Sequence, residues 1–138
     1  MAEDKGQAVR APDSEKITIN LGFVDLGQVD LLVRDGFYAT RTDFIRTAIR
    51  NQIERHAEPL RHSVARRTLQ LGLSHFGRAE LEAAYAAGAP LSISVLGLAS
   101  IARDVSPELA RAAIASITVL GALHASPEVR AALADRMR

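Results

Sequence analysis

Hydrophobic and polar residues alternate over residues 16–21, Lys-Ile-Thr-Ile-Asn-Leu, with the two-residue period of a β-strand. Two stretches with helical spacing follow, and each places its apolar residues on one stripe: Val24, Leu26, Val29, Leu32 and Val33 in the first, and Phe44, Ile45, Ala48, Ile49 and Ile53 in the second. A lone six-residue strand leaves its backbone hydrogen-bonding groups without partners. The pattern therefore predicts a strand that pairs with the same strand of a second copy.

The boundaries of the two helices carry their own signals. Gly36 suits the left-handed end of the first helix, and we expect Phe37 to fold back onto that helix. Thr40 followed by Asp43 resembles a capping box at the start of the second helix. We expect Pro59 to end any continuation near residue 58.

An internal repeat begins at about Thr68. The run SISVLG at 92–97 recurs as SITVLG at 116–121, and SPEL at 106–109 recurs as SPEV at 126–129. A fainter copy, TLQL at 68–71, lies 24 residues before the first run and precedes an alanine-rich helix from about Arg78 to Ala87. The two clear copies each read as a strand followed by a helix that a serine caps, with proline in its first turn, and the fainter copy reads as a third strand followed by a helix. Three such βα units predict a parallel sheet.

The strand alternation predicts which side chains face the helices. The inward set is Leu69, Leu71, Ile93, Val95, Ile117 and Val119, packing on Leu81, Leu109, Ile114 and Leu133. The outward set is small and polar: Thr68, Gln70, Ser92, Ser94, Ser116 and Thr118. We expect helices on one face only and two open edges, and hence self-association. Because alanine is abundant, an all-helical fold of residues 78–138 is the alternative.

Composition narrows the function. The 138 residues carry a net charge of +1 and no cysteine, which excludes disulfides and thiolate metal sites and suits a reducing compartment, so we expect a cytoplasmic protein. The near-neutral balance argues against general affinity for nucleic acid. A local basic cluster does follow the second helix: Arg55, His56, Arg61, His62, Arg66 and Arg67. It is either a solvated linker or a group near a DNA backbone.

Catalytic motifs are missing from the sequence. It contains no His-Glu-x-x-His, no glycine-rich phosphate loop with its lysine and no cysteine nucleophile, so we expect no enzyme and no catalytic residue. The four histidines, His56, His62, His75 and His124, lack the close spacing of a transition-metal site. We expect neither a metal site nor a cofactor.

The segment 36–46, GFYATRTDFIR, with the alternating strand and the helix before it, resembles the ribbon-helix-helix family of the CopG, Arc and MetJ type. The resemblance covers residues 16–56, under a third of the chain. Gly22-Phe23 stands where many relatives have a proline entering the first helix. The resemblance implies a homodimeric transcriptional regulator, expected to be a repressor, that inserts a two-stranded antiparallel ribbon into the major groove of double-stranded DNA.

Carried over by position, the base-contacting residues are Lys16, Thr18 and Asn20. Their chemistry fits, because lysine can donate to guanine, asparagine can pair with adenine, and threonine can donate, accept or touch a thymine methyl. The phosphate-contacting residues are Thr40, Arg41 and Thr42, at the start of the second helix.

The expected fold class is α+β, in four parts. These are a flexible arm at residues 1–14, a ribbon-helix-helix domain at 15–58, a basic linker at 59–67 and a βα-repeat oligomerisation domain at 68–138. The repeats are expected to join dimers into a tetramer or larger assembly. Two alternatives stay open: an effector- or metal-responsive regulator whose C-terminal domain binds a small ligand, and the antitoxin of a toxin–antitoxin pair.

Overall fold

The computed structural model describes residues 14–138, so the predicted N-terminal arm lies outside the described residues except for Ser14. The described chain forms two compact units, residues 14–63 and residues 64–138. No helix within residues 14–138 is long and apolar enough to cross a membrane.

Helices α1 (Phe23–Arg34) and α2 (Arg41–Arg55) form where the two apolar stripes predict them. Gly36 ends α1 with φ of 87°, and its N–H donates to the Val33 carbonyl while that of Phe37 donates to Leu32, the paired bonds of a Schellman motif. The expected hydrophobic contact of Phe37 is wrong, because its side chain is 71% exposed. Tyr38 instead packs edge-on against Phe44, with ring centroids 5.0 Å apart.

Helix α3 (Ala57–Arg67) follows α2 after a single residue, His56. Pro59 does not end the helical run as expected, since it lies in the first turn of α3, where proline removes no intrahelical hydrogen bond. The predicted basic linker, residues 59–67, is therefore helical. The boundary between the two units falls inside α3, after Ser63.

The second unit alternates strands and helices. Its elements are β1 (Gln70–Phe76), α4 (Arg78–Ala86), β2 (Leu91–Ile101), α5 (Pro107–Ala113), β3 (Ile114–His124), α6 (Pro127–Ala132) and a 3-10 turn (Ala134–Arg136). The strands form one sheet in the order β1-β2-β3, and both pairs are parallel. The predicted parallel sheet of three strands is confirmed, and the all-helical alternative is wrong. Ser106 and Ser126 cap their helices as predicted, accepting the N–H of Leu109 at 3.1 Å and of Val129 at 3.2 Å.

The register of the first repeat differs from the predicted one. Gly72, Gly97 and Gly121 are register partners, so the offset is 25 residues from β1 to β2 and 24 residues from β2 to β3. Leu71 consequently pairs with Leu96 rather than with Val95. Because neighbouring strand residues face opposite sides, a one-residue slip reverses the face. The inward assignment of Leu71 is wrong, and its side chain is 69% exposed.

The core lies between the sheet and its helices. Its fully buried side chains include Leu81, Val95, Ile114, Ile117, Val129 and Leu133, and Ile93 is 3% exposed. The predicted hydroxyl rows, Ser92 with Ser116 and Ser94 with Thr118, are paired across the sheet, but Gln70 pairs with Val95. Thr68 lies in the turn before β1.

The outer face of the sheet is more apolar than predicted. Beyond the hydroxyl rows it carries two apolar rows, which we call the leucine face: Leu71, Leu96 and Leu120, then Leu73, Leu98 and Ala122. Leu73 is 76% exposed and Leu120 is 49% exposed. The hydroxyl-rich surface therefore covers only the first part of this face.

Candidate nucleic-acid interface

The predicted base-reading residues lie in an exposed segment before α1. Lys16, Thr18 and Asn20 are exposed, and residues 15–22 have no regular secondary structure in the single chain. The predicted strand is not observed, because a strand requires a hydrogen-bonded partner and no other strand of residues 14–138 pairs with this segment. The alternating apolar residues Ile17 and Ile19 are 73% and 57% exposed. In one copy, then, both sides of the segment face solvent.

Thr40 caps α2. Its Oγ1 accepts the N–H of Asp43 at 3.0 Å, and the Asp43 carboxylate accepts the N–H of Ala39 at 3.0 Å. The first intrahelical bond of α2 runs from the Phe44 N–H to the Thr40 carbonyl. The N–H groups of Arg41 and Thr42 precede it and have no carbonyl partner within the helix, as at any helix start. The N-terminal end of α2 thus retains backbone donors of the kind that bind a phosphate.

Arg41 is not a free cation at this helix end. Its Nε and Nη2 donate to the two carboxylate oxygens of Asp30 at 2.7 and 2.8 Å, a two-pronged pair that joins α2 to α1. These hydrogen bonds lower the pKa of Asp30 and raise the pKa of Arg41. Asp30 therefore offsets the charge that Arg41 could present to a phosphate, a partnership that sequence spacing did not reveal.

The basic cluster is partly neutralised within α3. Arg61 forms an ion pair with Glu58, and Nε2 of His62 lies 3.6 Å from the same carboxylate. His56 Nδ1 lies 2.9 Å from the Gln52 carbonyl oxygen, which ties its ring to the end of α2. A single glutamate thus faces two members of the cluster, Arg61 and His62.

The second unit offers a different kind of surface. A groove of about 700 Å³ runs beside β1, with Gln70, Ser74, Phe76 and Glu80 among its lining residues. His75 Nδ1 lies 2.8 Å from Ser100 Oγ, and His124 is the register partner of Ser100 on the other side. Within residues 14–138, no group of three or more His, Asp or Glu side chains could hold a metal ion.

The first unit thus consists of an exposed alternating segment, a helix that ends at a glycine and a second helix capped by threonine. The chain matches the ribbon-helix-helix transcriptional regulator family over residues 12–130. It belongs to that family, a family of DNA-binding transcriptional regulators. No curated protein and no solved structure matches the chain significantly.

The resemblance predicted from residues 16–56 is confirmed, and the match extends through most of the βα repeats. Two features escaped the sequence reasoning. One is the partnership of Asp30 with Arg41, for which the sequence carries no signal. The other is the recurrence of Leu71-Gly72-Leu73 as Leu96-Gly97-Leu98. Aligning the repeats on glycine would have given the observed register.

Proposed function

We propose that the chain is a homodimeric, sequence-specific transcriptional repressor that inserts a two-stranded antiparallel ribbon into the DNA major groove. The observation that carries this proposal is the exposure of Ile17, Ile19 and Leu21 in the single chain, at 73%, 57% and 41%. These apolar side chains need a cover, and the backbone groups of the segment need hydrogen-bonding partners. The same segment of a second copy would supply the backbone partners, and the helices would cover the apolar side. Dimerisation would also cover apolar side chains of α1 and α2 that are exposed in the single chain.

Antiparallel pairing of residues 16–21 would turn Ile17, Ile19 and Leu21 toward the helices. Lys16, Thr18 and Asn20 of both copies would then form the outward face. A two-stranded ribbon has the width of the major groove, and these three residue types can read base edges there. A good base contact contributes roughly 1–3 kcal/mol of discrimination against the wrong base.

The start of α2 would hold the flanking phosphates. Thr40, Arg41 and Thr42 supply backbone N–H groups and hydroxyls for these contacts. The pairing of Arg41 with Asp30 indicates that backbone donors contribute more here than the guanidinium charge. We assign these contacts a positioning role, with sequence selection left to the ribbon.

The βα repeats would join dimers into larger assemblies. The net charge of +1 makes a single dimer a modest DNA binder. Assemblies that present several ribbons to repeated half-sites gain affinity through effective concentration. The exposed leucine face and the two open edges of the sheet support a surface for self-association.

Selection of binding sites from a random DNA library, followed by titration of the recovered sequence, tests the ribbon. Replacing Lys16, Thr18 and Asn20 together with alanine is expected to abolish preference for the selected site while the dimer stays folded, because all three side chains are exposed. The control Arg103→Ala removes one positive charge from an exposed turn outside the first unit and should keep the preference. Full site preference in the triple variant would overturn the proposal.

A further inference from the structure

Three glycines occupy equivalent positions in the three strands and share an unusual backbone. Gly72, Gly97 and Gly121 have φ of 113°, 139° and 121°, in the region that side chains disfavour. A Cβ on Gly97 would lie 2.2 Å from the Gly72 carbonyl oxygen, and one on Gly121 would lie 2.1 Å from that of Gly97. Gly97 and Gly121 thus each rest against the backbone of the strand before them. We call this series the glycine ladder.

The first member of the glycine ladder has no such neighbour. A Cβ on Gly72 would meet no atom within 4 Å, yet Gly72 keeps the same conformation. At the other end, no fourth strand within residues 14–138 meets the carbonyl of Gly121, since β3 is the last strand of the sheet described there. The two ends of the glycine ladder are complementary, because Gly72 lacks a neighbouring carbonyl and Gly121 presents one at the opposite edge of the sheet.

We infer that β3 of one copy pairs in parallel with β1 of the next copy, with Gly72 of the second resting on the Gly121 carbonyl of the first. This inference rests on the proposed self-assembly and gives it an interface, a direction and a register. The register within the chain, continued across the junction, opposes Gln70 to Val119 and His75 to His124. A head-to-tail contact of this kind joins unlike surfaces, so it forms open chains or rings rather than a closed pair.

The exposed edges fit this pairing. β1 and β3 contain no Asp, Glu, Lys, Arg or Pro, the residues that commonly protect an edge strand from pairing with another chain. The C-terminal residues use part of the β3 edge, where Met137 bridges Ile117 and the Arg138 N–H donates to the Ile117 carbonyl at 2.9 Å. Beyond Ile117, the Arg130 side chain donates to the Leu123 carbonyl. The seven residues of β1 would occupy this edge around Gly121, and they would displace the Arg130 contact at its far end.

The helix side of the sheet is also incompletely packed at both ends. The groove of about 700 Å³ borders β1, and a smaller cavity of about 200 Å³ borders β3, lined by Ile117, Val119, Leu123, Arg130, Met137 and Arg138. Terminal units of repeat proteins normally carry a polar cap on their outer side. The two cavities leave room at each end of this sheet for a neighbouring copy.

Sedimentation velocity of the full chain over a range of concentrations tests the junction with Gly72→Ala and Gly88→Ala. Both positions have positive φ and open space around a Cβ, so both variants carry backbone strain, but only Gly72 lies on the sheet edge. Gly72→Ala is expected to raise the concentration needed for species larger than a dimer by at least about tenfold. Gly88→Ala should assemble like the parent chain.

The outcomes separate the junction from self-assembly in general. A parent chain that stays dimeric at every concentration overturns both. A parent chain that assembles while Gly72→Ala assembles equally well overturns the head-to-tail junction and leaves self-assembly standing. Equal loss in both glycine variants also counts against the junction, because strain alone would then explain it.

Thiol cross-linking tests the direction independently. The chain has no cysteine, so His75→Cys and His124→Cys each add a single thiol. Neighbouring strands lie about 4.8 Å apart, within the Cα separation that a disulfide spans. Mixing the two variants under oxidation should yield cross-links between unlike variants and few in either alone. Cross-links between like variants only would indicate packing of two leucine faces or antiparallel edges, and would overturn the inference.

Discussion

The two units differ in how they bury apolar side chains. Within residues 14–63, Val29 is the buried hydrophobic residue, at 6% exposure, whereas residues 64–138 enclose a continuous core around Leu81, Val95 and Ile117. The 50 residues of the first unit gain little stability from a core of their own, whereas the second unit closes its core within one chain. In the proposed assembly, the first unit therefore depends on a second copy to fold, and the second unit would use one only to pair its sheet edges.

The same contrast predicts two kinds of thermal transition. Folding that depends on association shifts with protein concentration, while the unfolding of a self-contained core does not. In the proposed dimer, each apolar side chain of the first unit that becomes fully buried contributes roughly 1.5–3 kcal/mol.

The largest effect is expected from Ile19→Glu. An unpaired carboxylate on the dimer side of the predicted ribbon costs several kcal/mol in each chain, so the first unit should lose both dimerisation and its helices. The parallel sheet should persist. Circular dichroism and sedimentation equilibrium would measure the two losses, and specific DNA binding should disappear with them.

The control for that variant is Thr18→Glu, one residue earlier. Its side chain is predicted to face DNA, so the dimer should survive while affinity falls through repulsion from phosphates. Equal damage to the dimer by the two variants would contradict the assignment of faces in the ribbon.

An intermediate effect is expected from Leu81→Ala in the second unit. Leu81 is fully buried, and a Leu→Ala change in a core costs about 2–5 kcal/mol. The loss should be the same at all protein concentrations where the assembly state is unchanged, as followed by chemical denaturation. Matched against it, Tyr85→Ala on the same helix should cost little, because Tyr85 is 63% exposed. A concentration-dependent loss for Leu81→Ala would show that this core also depends on a partner.

The smallest effect concerns one ion pair in each unit, Asp30 with Arg41 and Asp135 with Arg111. The hydrogen bonds from arginine lower the pKa of both aspartates. A lowered carboxyl pKa adds stability above the unfolded value of about 3.9, and this is lost as pH falls through the folded pKa. NMR titration should find both carboxyls below the ordinary range, and the stability difference between the parent and Asp135→Asn should fade in acid. Ordinary pKa values would show that the pairs do not persist in solution.

The features of the fold that depend on residues close together in the sequence were predictable, whereas the register of the first repeat, which depends on distant residues, was not. The cap at Thr40, the end of α1 at Gly36 and the serine caps of α5 and α6 all depend on residues within one helical turn, so the sequence predicted them. The sheet register depends on which carbonyl meets which glycine across strands. A fixed 24-residue period assigned Leu71 to the wrong face, whereas Gly72, Gly97 and Gly121 mark the observed alignment.

The candidate site was predictable in part for the same reason. Alternation marks Lys16, Thr18 and Asn20 as a set, but their segment pairs with no strand of residues 14–138, so their arrangement stays a prediction. The pairing of Arg41 with Asp30 spans eleven residues and two helices, and no local rule indicates it. The prediction that Pro59 ends the helical run was wrong because proline is tolerated in the first turn of a helix, and Pro59 lies in the first turn of α3.

The bridge between Met137 and Ile117 bears on protein engineering. Because the tail runs parallel to β3, residues added after Arg138 would continue along the edge toward His124. A copy of the β1 sequence QLGLSHF appended there would bring its glycine opposite Gly121, counting on from the bridged pair. Such an extension would occupy the β3 edge and prevent the next copy from adding to the assembly. A purification tag at the same end would compete with the next copy for this edge.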